Sequence, residues 1–185
     1  MIDYINAILG GGYIQNVKVI NAEWFGAPRE RRRYIVFGIR KDLGPSNEIS
    51  LPTAPENISL ITVGDTIFDL MQNEVEYDPK YPDQEYAQND NICQYAPMMR
   101  QNSVALSNHI TTKSTDLAIE HFKKIKPGKN FHSLSNEMKS AYAKPERTQN
   151  TIYLRLNPDA PSVTVVNVRK SMWIHPVLDR AISVR

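Results

Sequence analysis

The chain has 185 residues, of which 41% are hydrophobic and 23% charged, and its net charge is +2. This length suffices for a hydrophobic core in one large or two small domains. Because the net charge is close to zero, a case for a nucleic-acid partner has to rest on local charge. No apolar run approaches the roughly 20 residues that a membrane span needs, and the N-terminus lacks the pattern of a secretory signal. A single cysteine, Cys93, excludes an internal disulfide and fits a reducing compartment.

The chain begins with a predicted amphipathic helix, which a predicted strand follows. Apolar residues recur at helical spacing between Ile2 and Leu9, and the glycines at 10–12 end the pattern. These glycines predict a turn rather than a nucleotide-binding loop, because no strand precedes them and no Gly-Lys-Ser/Thr follows. The next strand is predicted from Tyr13 to Ile20.

Four arginines stand within five residues, directly before an apolar run at 34–39. They are Arg29, Arg31, Arg32 and Arg33. A strand that is apolar on both faces is typical of the middle of a sheet that is covered on both sides. Arginines at the start of such a strand are well placed to hold phosphates or a planar polar ligand, because the guanidinium is a permanently charged fork of donors. Taken alone, the same pattern also fits a solvated basic turn.

Residues 62–71 predict a short helix after an irregular connection. Thr62 is expected to cap this helix, and Asp65, three residues later, completes a variant capping box with aspartate in place of glutamate. Residues 72–97 are acidic, polar and tyrosine-rich, which predicts a loop rather than core. We expect its part at 74–90 to point away from any bound DNA, because carboxylates repel phosphates.

The sign of the charge reverses in the following segment. Residues 115–125 predict a helix that stops at Pro127 and Gly128, and a second short helix is predicted from about 133 to 142. Lysines crowd the end of the first helix and the turn after it, namely Lys123, Lys124, Lys126 and Lys129. Basic residues around such a turn can hold phosphates. The alternative is a solvated basic face without a ligand.

The residues that usually carry metal or nucleophilic chemistry form no recognisable pattern. The four histidines, at positions 109, 121, 132 and 175, have no pair at the spacing of a helical metal site, and no second cysteine supports zinc. No metal site is therefore predicted. Neither Cys93 nor any serine has a base at a spacing that sequence alone can recognise.

Two blocks of the chain resemble conserved blocks of the cytosine-5 DNA methyltransferases. In the first, at 21–42, Gly26-Ala27-Pro28-Arg29-Glu30-Arg31-Arg32-Arg33 is similar to the Gly-x-Pro-Gln-x-Arg-x-Arg turn of the family, and Gly38-Ile39-Arg40 to the Gly-x-Arg that ends its strand. The second, at 155–185, contains Pro161-Ser162-Val163-Thr164-Val165, His175-Pro176 and Arg180-Ala181-Ile182-Ser183-Val184-Arg185, similar to Pro-Ser-x-Thr-Ile, His-Pro and Arg-x-Leu-Thr-Val-Arg. The two blocks stand in the family's order and bracket the segment where the family places its variable target recognition region.

The resemblance implies an α+β fold. We expect a partial sheet, formed by the last strands of a Rossmann-like methyltransferase domain, and a small irregular target recognition domain. Residues 1–48 would be the end of the catalytic sheet with the arginine turn, 49–150 the target recognition region, and 151–185 a return segment toward the catalytic domain.

The resemblance also implies a reaction and roles for the arginines. The family flips a cytosine out of the duplex, attacks it with a cysteine thiolate, and transfers a methyl group from S-adenosylmethionine to carbon 5. By position, Arg31 would hold a backbone phosphate and Arg33 would reach the carbonyl oxygen of the flipped cytosine. A permanent positive charge there stabilises the negative charge that attack pushes into the ring. Arg29 replaces the family's glutamine, which changes the hydrogen bonding at that position.

Further expectations concern binding, partners and location. We expect Arg29 and the four lysines at 123, 124, 126 and 129 to bind double-stranded DNA, and Arg155 and Thr164 to help build the scaffold of the recognition region. S-adenosylmethionine would serve the parent enzyme, with none bound to this chain. The resemblance implies a bacterial cytoplasmic protein without a membrane segment. The apolar strand at 34–39 predicts dimerisation or domain swapping through an exposed sheet edge.

The family's nucleophile and cofactor motifs have no counterpart in the chain. Its glycine-rich cofactor loop, Pro-Cys-Gln nucleophile and Glu-Asn-Val acid all precede the arginine turn. Here Cys93-Gln94 follows Ile92 rather than proline, and Glu56-Asn57-Ile58 also lies after the turn. We therefore expect a C-terminal portion of a bacterial methylase that does not methylate alone. The alternatives are a non-catalytic DNA- or RNA-binding module and an interaction domain.

Overall fold

The computed structural model describes residues 2–44, 50–78, 80, 83–88, 93–164 and 172–184. Its helices and strands, in chain order, are α1 (Ile2–Leu9), β1 (Tyr13–Asn21), β2 (Arg32–Arg40), α2 (Val63–Ile67), α3 (Tyr95–Arg100), α4 (Asp116–Lys124) and α5 (Asn136–Lys139). Short 3-10 turns lie at Ala22–Phe25, Lys41–Leu43, Phe68–Leu70, Phe131–Ser133 and Pro145–Arg147. None of the helices in these ranges is long and apolar enough to cross a membrane.

β1 and β2 form a two-stranded antiparallel sheet, which confirms both predicted strands. Tyr13 pairs with Arg40 at one end and Asn21 with Arg32 at the other. The observed β2 begins two residues before the predicted strand, because pairing with β1 extends the ladder through Arg32 and Arg33. The predicted N-terminal helix is also confirmed as α1.

β2 has the exposed apolar surface that is expected of a strand with one sheet neighbour among the described residues. Most residues of β2 are exposed, including Tyr34 at 43% and Phe37 at 48%. β1 is the one neighbour of β2 in the described sheet, and the buried clusters of the chain lie elsewhere. The apolar side chains of this sheet therefore form an exposed surface. The observed fold is mixed α/β with a small sheet, and the Rossmann-like parent sheet stays a prediction.

α2 begins with the predicted capping box. The Thr62 hydroxyl accepts a hydrogen bond of 3.2 Å from the Asp65 amide, and the Asp65 carboxylate accepts one of 2.9 Å from the Thr62 amide. Both bonds satisfy amides at the start of the helix that have no partner within it. The predicted helix at 62–71 is thus confirmed as α2 continued by a tighter 3-10 turn.

The start of α2 is fixed to the return segment. The amides of Val63 and Gly64 donate to the carbonyl oxygens of Ala160 and Pro158, each at 2.9 Å. A Cβ at position 64 would stand 3.1 Å from the Pro158 oxygen, so a larger residue would push this helix away. The close approach explains why a glycine stands at this position.

α3 corrects the expectation of a loop up to residue 97. The helix starts at Tyr95, carries Pro97 in its first turn, where proline needs no amide partner, and buries Ala96. Arg100 at its end forms an ion pair with the buried Asp69 and stacks 3.9 Å above the centre of the Tyr86 ring. These contacts between segments that are distant in sequence stabilise α3, a helix that the polar composition of 72–97 did not predict.

The main core surrounds α4. This helix is capped by Thr115 and buries Ala118, His121 and Phe122, so the predicted helix at 115–125 is confirmed. The core cluster consists of Ala118, Phe122, Ile125, Phe131, Leu134, Tyr153 and Ile174. The second helix predicted at 133–142 is only partly confirmed, because α5 has four residues and a 3-10 turn precedes it. The predicted domain boundaries stay predictions.

Candidate nucleic-acid interface

The arginine turn is the loop at 22–31 that joins β1 to β2. Its first residues form a 3-10 turn that ends at Gly26, whose φ of 80° lies in the left-handed region that favours glycine. The amide of Ala22 donates to the carbonyl oxygen of Arg31 at 3.1 Å, which closes the base of the loop. The loop therefore returns the chain directly into β2.

The return segment braces the other side of this turn. The amide of Glu30 donates to the Ser162 oxygen at 2.8 Å, and the amide of Ser162 donates to the Pro28 oxygen at 3.0 Å. The Thr164 hydroxyl donates to the Glu30 oxygen at 3.0 Å. These bonds join the two sequence blocks that carry the family resemblance. Thr164 thus contacts the arginine turn, while its scaffold role toward the recognition region stays a prediction.

Arg29, Arg31 and Arg33 alternate along an extended stretch, so their side chains project from the same side of the chain. Glu30 and Arg32 occupy the opposite side and form an ion pair at 3.4 Å. The pKa of Arg31 is lowered from its ordinary value by desolvation and by the positive charges of Arg33 and Arg29. None of the ion pairs within the described ranges involves these three arginines. The turn therefore presents three neighbouring cations, which we call the arginine face.

The lysines in the last turn of α4 and in the turn after it are all exposed, but they are not equivalent. Lys123 forms an ion pair of 2.7 Å with Glu120, which raises the pKa of Lys123 and lowers that of Glu120. Lys124, Lys126 and Lys129 take part in no ion pair in the part of the chain that the structure describes. No hydrogen bond or ion pair between described residues joins these lysines to the arginine face.

Arg155 is a buried hub between α4 and the return segment, with 4% of its surface exposed. Its guanidinium donates to the carbonyl oxygens of Phe122 and Ile125 at 2.6 Å, His175 at 3.0 Å, Leu178 at 3.3 Å and Pro176 at 3.4 Å, and to the Asp179 carboxylate at 2.6 Å. Its main chain also holds the lysine turn, through bonds of 2.9 Å with the Gly128 amide and the Lys129 oxygen. Arg155 thus connects the end of α4, the lysine turn and the 175–179 loop.

His175 shapes that loop as a neutral ring. Its Nδ1 accepts hydrogen bonds from the amides of Val177 at 3.2 Å and Leu178 at 3.1 Å. Burial lowers the pKa of His175 to about 4, and the nearby charges of Arg180 and Arg155 contribute. The remaining histidines contact protein groups, and no cluster of metal-ligating side chains is found among the described residues.

A cleft of about 240 Å³ lies beside the start of α2. Its walls include Thr62, Asp65, Phe68, Asp69, Cys93 and Asp159. The pKa of Asp65 is lowered by its hydrogen bonds from the Thr62 amide and hydroxyl. Cys93 lies beside this carboxylate and contributes the smallest part of the lowering.

Two groups at the arginine turn carry contacts that sequence reasoning did not single out. Asn21 is buried at the end of β1, and Ser162 pairs with the turn through its main chain. An asparagine at the junction of a strand and a turn is a signal for local side-chain bonds to the backbone. The pairing of Ser162 depends on a contact between distant segments, for which a single sequence holds no local signal.

Comparison with known proteins relates the chain to DNA-modifying enzymes. Residues 3–185 match the family described as C-5 cytosine-specific DNA methylase. The Type II methyltransferase M.XorII of Xanthomonas oryzae pv. oryzae is 40% identical over 70 residues, which are 37% of this chain and 15% of that protein. The Type II methyltransferase M.DdeI of Desulfomicrobium norvegicum is 25% identical over 194 residues, covering 94% of this chain and 43% of that protein.

The fold has a counterpart among solved structures. A crystal structure described as a prophage-encoded DNA modification methyltransferase (E. coli) superposes with a TM-score of 0.62 at 16% identity. The match covers 98% of this chain and 50% of that one. At this identity the likeness supports the fold alone. The chain spans less than half the length of either curated relative.

Proposed function

The chain belongs to the C-5 cytosine-specific DNA methylase family, and on this premise we propose that it forms the DNA-holding part of a cytosine-5 DNA methyltransferase. The enzyme would transfer a methyl group from S-adenosylmethionine to carbon 5 of cytosine in double-stranded DNA. The arginine face carries this proposal. Its three cations lie side by side, and the return segment holds their backbone in place.

The three arginines of this face are proposed to make different contacts with DNA. Arg33 is proposed to donate to the carbonyl oxygen of a flipped cytosine, where its charge stabilises the electron density that nucleophilic attack pushes into the ring. Arg31 is proposed to hold the adjacent phosphate, and Arg29 to add a further contact. A guanidinium is well suited to each role because it stays charged and donates along two parallel directions.

We assign residues 49–150 to target recognition, with Lys124, Lys126 and Lys129 as phosphate contacts. Lys123 is a weaker candidate because Glu120 already neutralises it. Arg155 supports this assignment as a scaffold residue, since it holds both ends of the segment from Phe122 to Lys129. Thr164 would fix the recognition region relative to the arginine face through Glu30.

The residues described here do not fit S-adenosylmethionine. At Gly11 and Gly12 a Cβ would meet no other protein atom within 4 Å, so the packing around these glycines builds no enclosed pocket. The cleft beside α2 is lined by three aspartates and offers no glycine-rich loop. We therefore assign no step of methyl transfer to the described residues, and propose that the nucleophile and the cofactor site are supplied by sequence outside this chain.

Methyl transfer by the isolated chain tests this proposal. The 185-residue chain is incubated with labelled S-adenosylmethionine and duplex DNA, and we expect no label on cytosine. Label on cytosine would refute the proposal that the nucleophile and the cofactor site lie outside this chain. The coding sequence upstream offers an independent check, because a Pro-Cys-Gln block within about 100 residues, the usual domain scale, makes the parent an enzyme. Its absence would favour a non-catalytic nucleic-acid-binding module.

An interaction module is the second candidate, and the exposed sheet favours it. Val19 and Tyr34 present apolar surface on one face of the β1–β2 hairpin, and Phe37 presents it on the other face. Apolar surface of this kind usually marks a contact with other protein. If the chain is part of a bacterial cytoplasmic methyltransferase, this apolar surface would pack against the rest of the catalytic sheet. In the isolated chain, where that sheet is missing, two copies would pair through it.

A further inference from the structure

Asn21 uses its whole side chain at the base of the arginine turn. It is 1% exposed, although asparagine usually lies at the protein surface. Its Oδ1 accepts a hydrogen bond of 2.9 Å from the main-chain amide of Arg31, and its Nδ2 donates one of 2.7 Å to the Glu23 carboxylate. The two partners fix the orientation of the amide, since one is a donor and the other an acceptor.

These bonds lie where the regular ladder stops. The last strand pair is Asn21 with Arg32, and the amide of Ala22 donates to the Arg31 oxygen at 3.1 Å. The Asn21 side chain holds the amide of Arg31 while Ala22 holds its carbonyl. Both polar groups of the Arg31 backbone are therefore fixed, and with them the direction in which its side chain leaves the chain.

The direction matters because neighbouring residues point to opposite sides. A rotation of the Arg31 backbone would turn its side chain toward the side that the ion pair of Glu30 and Arg32 occupies. The arginine face would then lose one of its three cations. Holding the Arg31 backbone thus keeps the Arg31 side chain on this face.

Asparagine meets requirements here that its closest replacements do not. Aspartate would accept from the Arg31 amide but would place a second carboxylate against Glu23. Alanine would leave the Arg31 amide and the Glu23 carboxylate without their partner. Both groups are partly buried, so the loss of their partner destabilises the turn.

We propose that Asn21 is the positioning residue of the arginine face: it acts on DNA through the Arg31 backbone and itself touches neither base nor phosphate. The proposal rests on the DNA-holding function proposed above. The Asn21 side chain faces inward, so its effect on DNA is indirect. Removing it should therefore weaken binding only as far as Arg31 contributes to it.

A double-mutant cycle on the full 185-residue chain tests this role. A mixed-sequence duplex is titrated at several salt concentrations with wild type, Asn21→Ala, Arg31→Ala and the double variant. We expect Asn21→Ala to reduce the slope of log affinity against log salt by about 0.9, the loss of one phosphate contact. In the Arg31→Ala background it should cause no further change. Asn73→Ala is the matched control, because Asn73, in the acidic loop, also accepts from a main-chain amide and donates to an oxygen, here the Glu85 carbonyl.

A rescue and an exchange measurement separate positioning from simple loss of structure. Asn21→Asp should reduce the slope as Asn21→Ala does, and adding Glu23→Gln should restore it, because the glutamine amide supplies the missing donor. Amide exchange read by NMR should be slow at Arg31 in wild type and fast in Asn21→Ala, with the core amide of Phe122 unchanged.

The outcomes discriminate between the two proposals. An Asn21→Ala slope equal to that of wild type, or an equal loss in both backgrounds, would overturn the positioning role alone. Wild-type binding that is indifferent to salt would overturn the DNA-holding function, and the role of Asn21 toward DNA with it.

Discussion

The hydroxyl of Thr164 donates a hydrogen bond of 3.0 Å to the carbonyl oxygen of Glu30, across 134 residues of chain. Together with the main-chain bonds of Ser162, it fixes the arginine turn from the side opposite to Asn21. The turn is therefore held between its own hairpin and the far end of the sequence.

Replacing Thr164 by valine tests this brace. Valine keeps the shape of the side chain and removes the donor, so we expect duplex affinity at low salt to fall about fivefold, corresponding to roughly 1 kcal/mol for one hydrogen bond. Fluorescence anisotropy of a labelled duplex measures the change. Thr164→Ser keeps the hydroxyl and should bind as wild type does; an equal loss in both variants would show that the hydroxyl is not responsible.

The arginine face predicts a contrast between adjacent residues. Arg31→Ala should lower the salt slope of duplex binding by about 0.9, because one phosphate contact is lost. Arg32→Ala is the matched control: it removes the same charge next to Arg31, but its partner is Glu30 on the opposite side. Titrations at several salt concentrations compare the two slopes. Equal slopes would mean that net charge alone, rather than the face, governs binding.

Arg155 predicts a large effect on stability. Arg155→Lys keeps the charge but removes the fork that reaches Phe122, Ile125 and Asp179, leaving buried acceptors without donors. We expect the free energy of unfolding to fall by about 1–3 kcal/mol for each buried carbonyl oxygen that loses its donor. Urea unfolding, followed by the fluorescence of the buried Trp173, measures it. Arg147→Lys, on the exposed surface, is the control, and a loss below about 1 kcal/mol at position 155 would contradict the hub role.

His175 predicts that stability falls on mild acidification. Its pKa is about 6.5 in the unfolded chain and about 4 in the folded protein. Between these values the unfolded state binds more protons, so stability is fully present above about pH 6.5 and is lost as the pH falls toward 4, by roughly 3 kcal/mol at most. Urea unfolding at pH 7 and pH 5 measures the loss.

A substitution isolates the contribution of this histidine. In His175→Asn the amide oxygen can accept from the loop amides, and the group does not titrate, so the difference in stability between pH 7 and pH 5 should shrink. His132→Asn, at a histidine bonded to the Thr148 oxygen, is the matched control. If His175→Asn keeps the full difference, the acid sensitivity has another source.

The exposed hairpin predicts self-association of the isolated chain. Phe37 is 48% exposed on β2, next to other apolar side chains. We expect wild type to dimerise at high concentration in analytical ultracentrifugation, and Phe37→Lys to sediment as a monomer because it places a charge in the apolar surface. Lys18→Gln, on the paired strand β1, should leave dimerisation intact. A wild-type monomer at high concentration would contradict this prediction.

Local patterns in the sequence predicted the elements whose cause is local. The capping box of Thr62 and Asp65, the strand at 34–39 and the helix after Thr115 depend on neighbouring residues, and all three were found. α3 was missed because its stability comes from Arg100 reaching Asp69 and Tyr86, residues that lie far away in the chain.

The same distinction between local causes and contacts of distant segments applies to the candidate site. The arginines stand out by composition, and family resemblance pointed to Thr164 and Arg155. The alternation that makes three of the four arginines neighbours follows from extended geometry. The bonds of Ser162 arise from contacts between distant segments, which neither composition nor periodicity encodes, whereas Asn21 stands at a strand–turn junction, where a local signal exists. The apolar pattern at 34–39 reflects what the strand would pack against in a larger sheet, and the described chain provides one neighbouring strand.

The bond between Glu30 and Thr164 also sets an order of events during synthesis. The β1–β2 hairpin can form as soon as its 28 residues from Tyr13 to Arg40 leave the ribosome, because hairpins close in microseconds and synthesis takes seconds. The turn between the strands has to wait for residue 164 before its second support exists. A nascent chain therefore carries a basic, half-supported loop beside exposed apolar strands until residue 164 has emerged, and truncation before residue 162 would leave that loop without its second support.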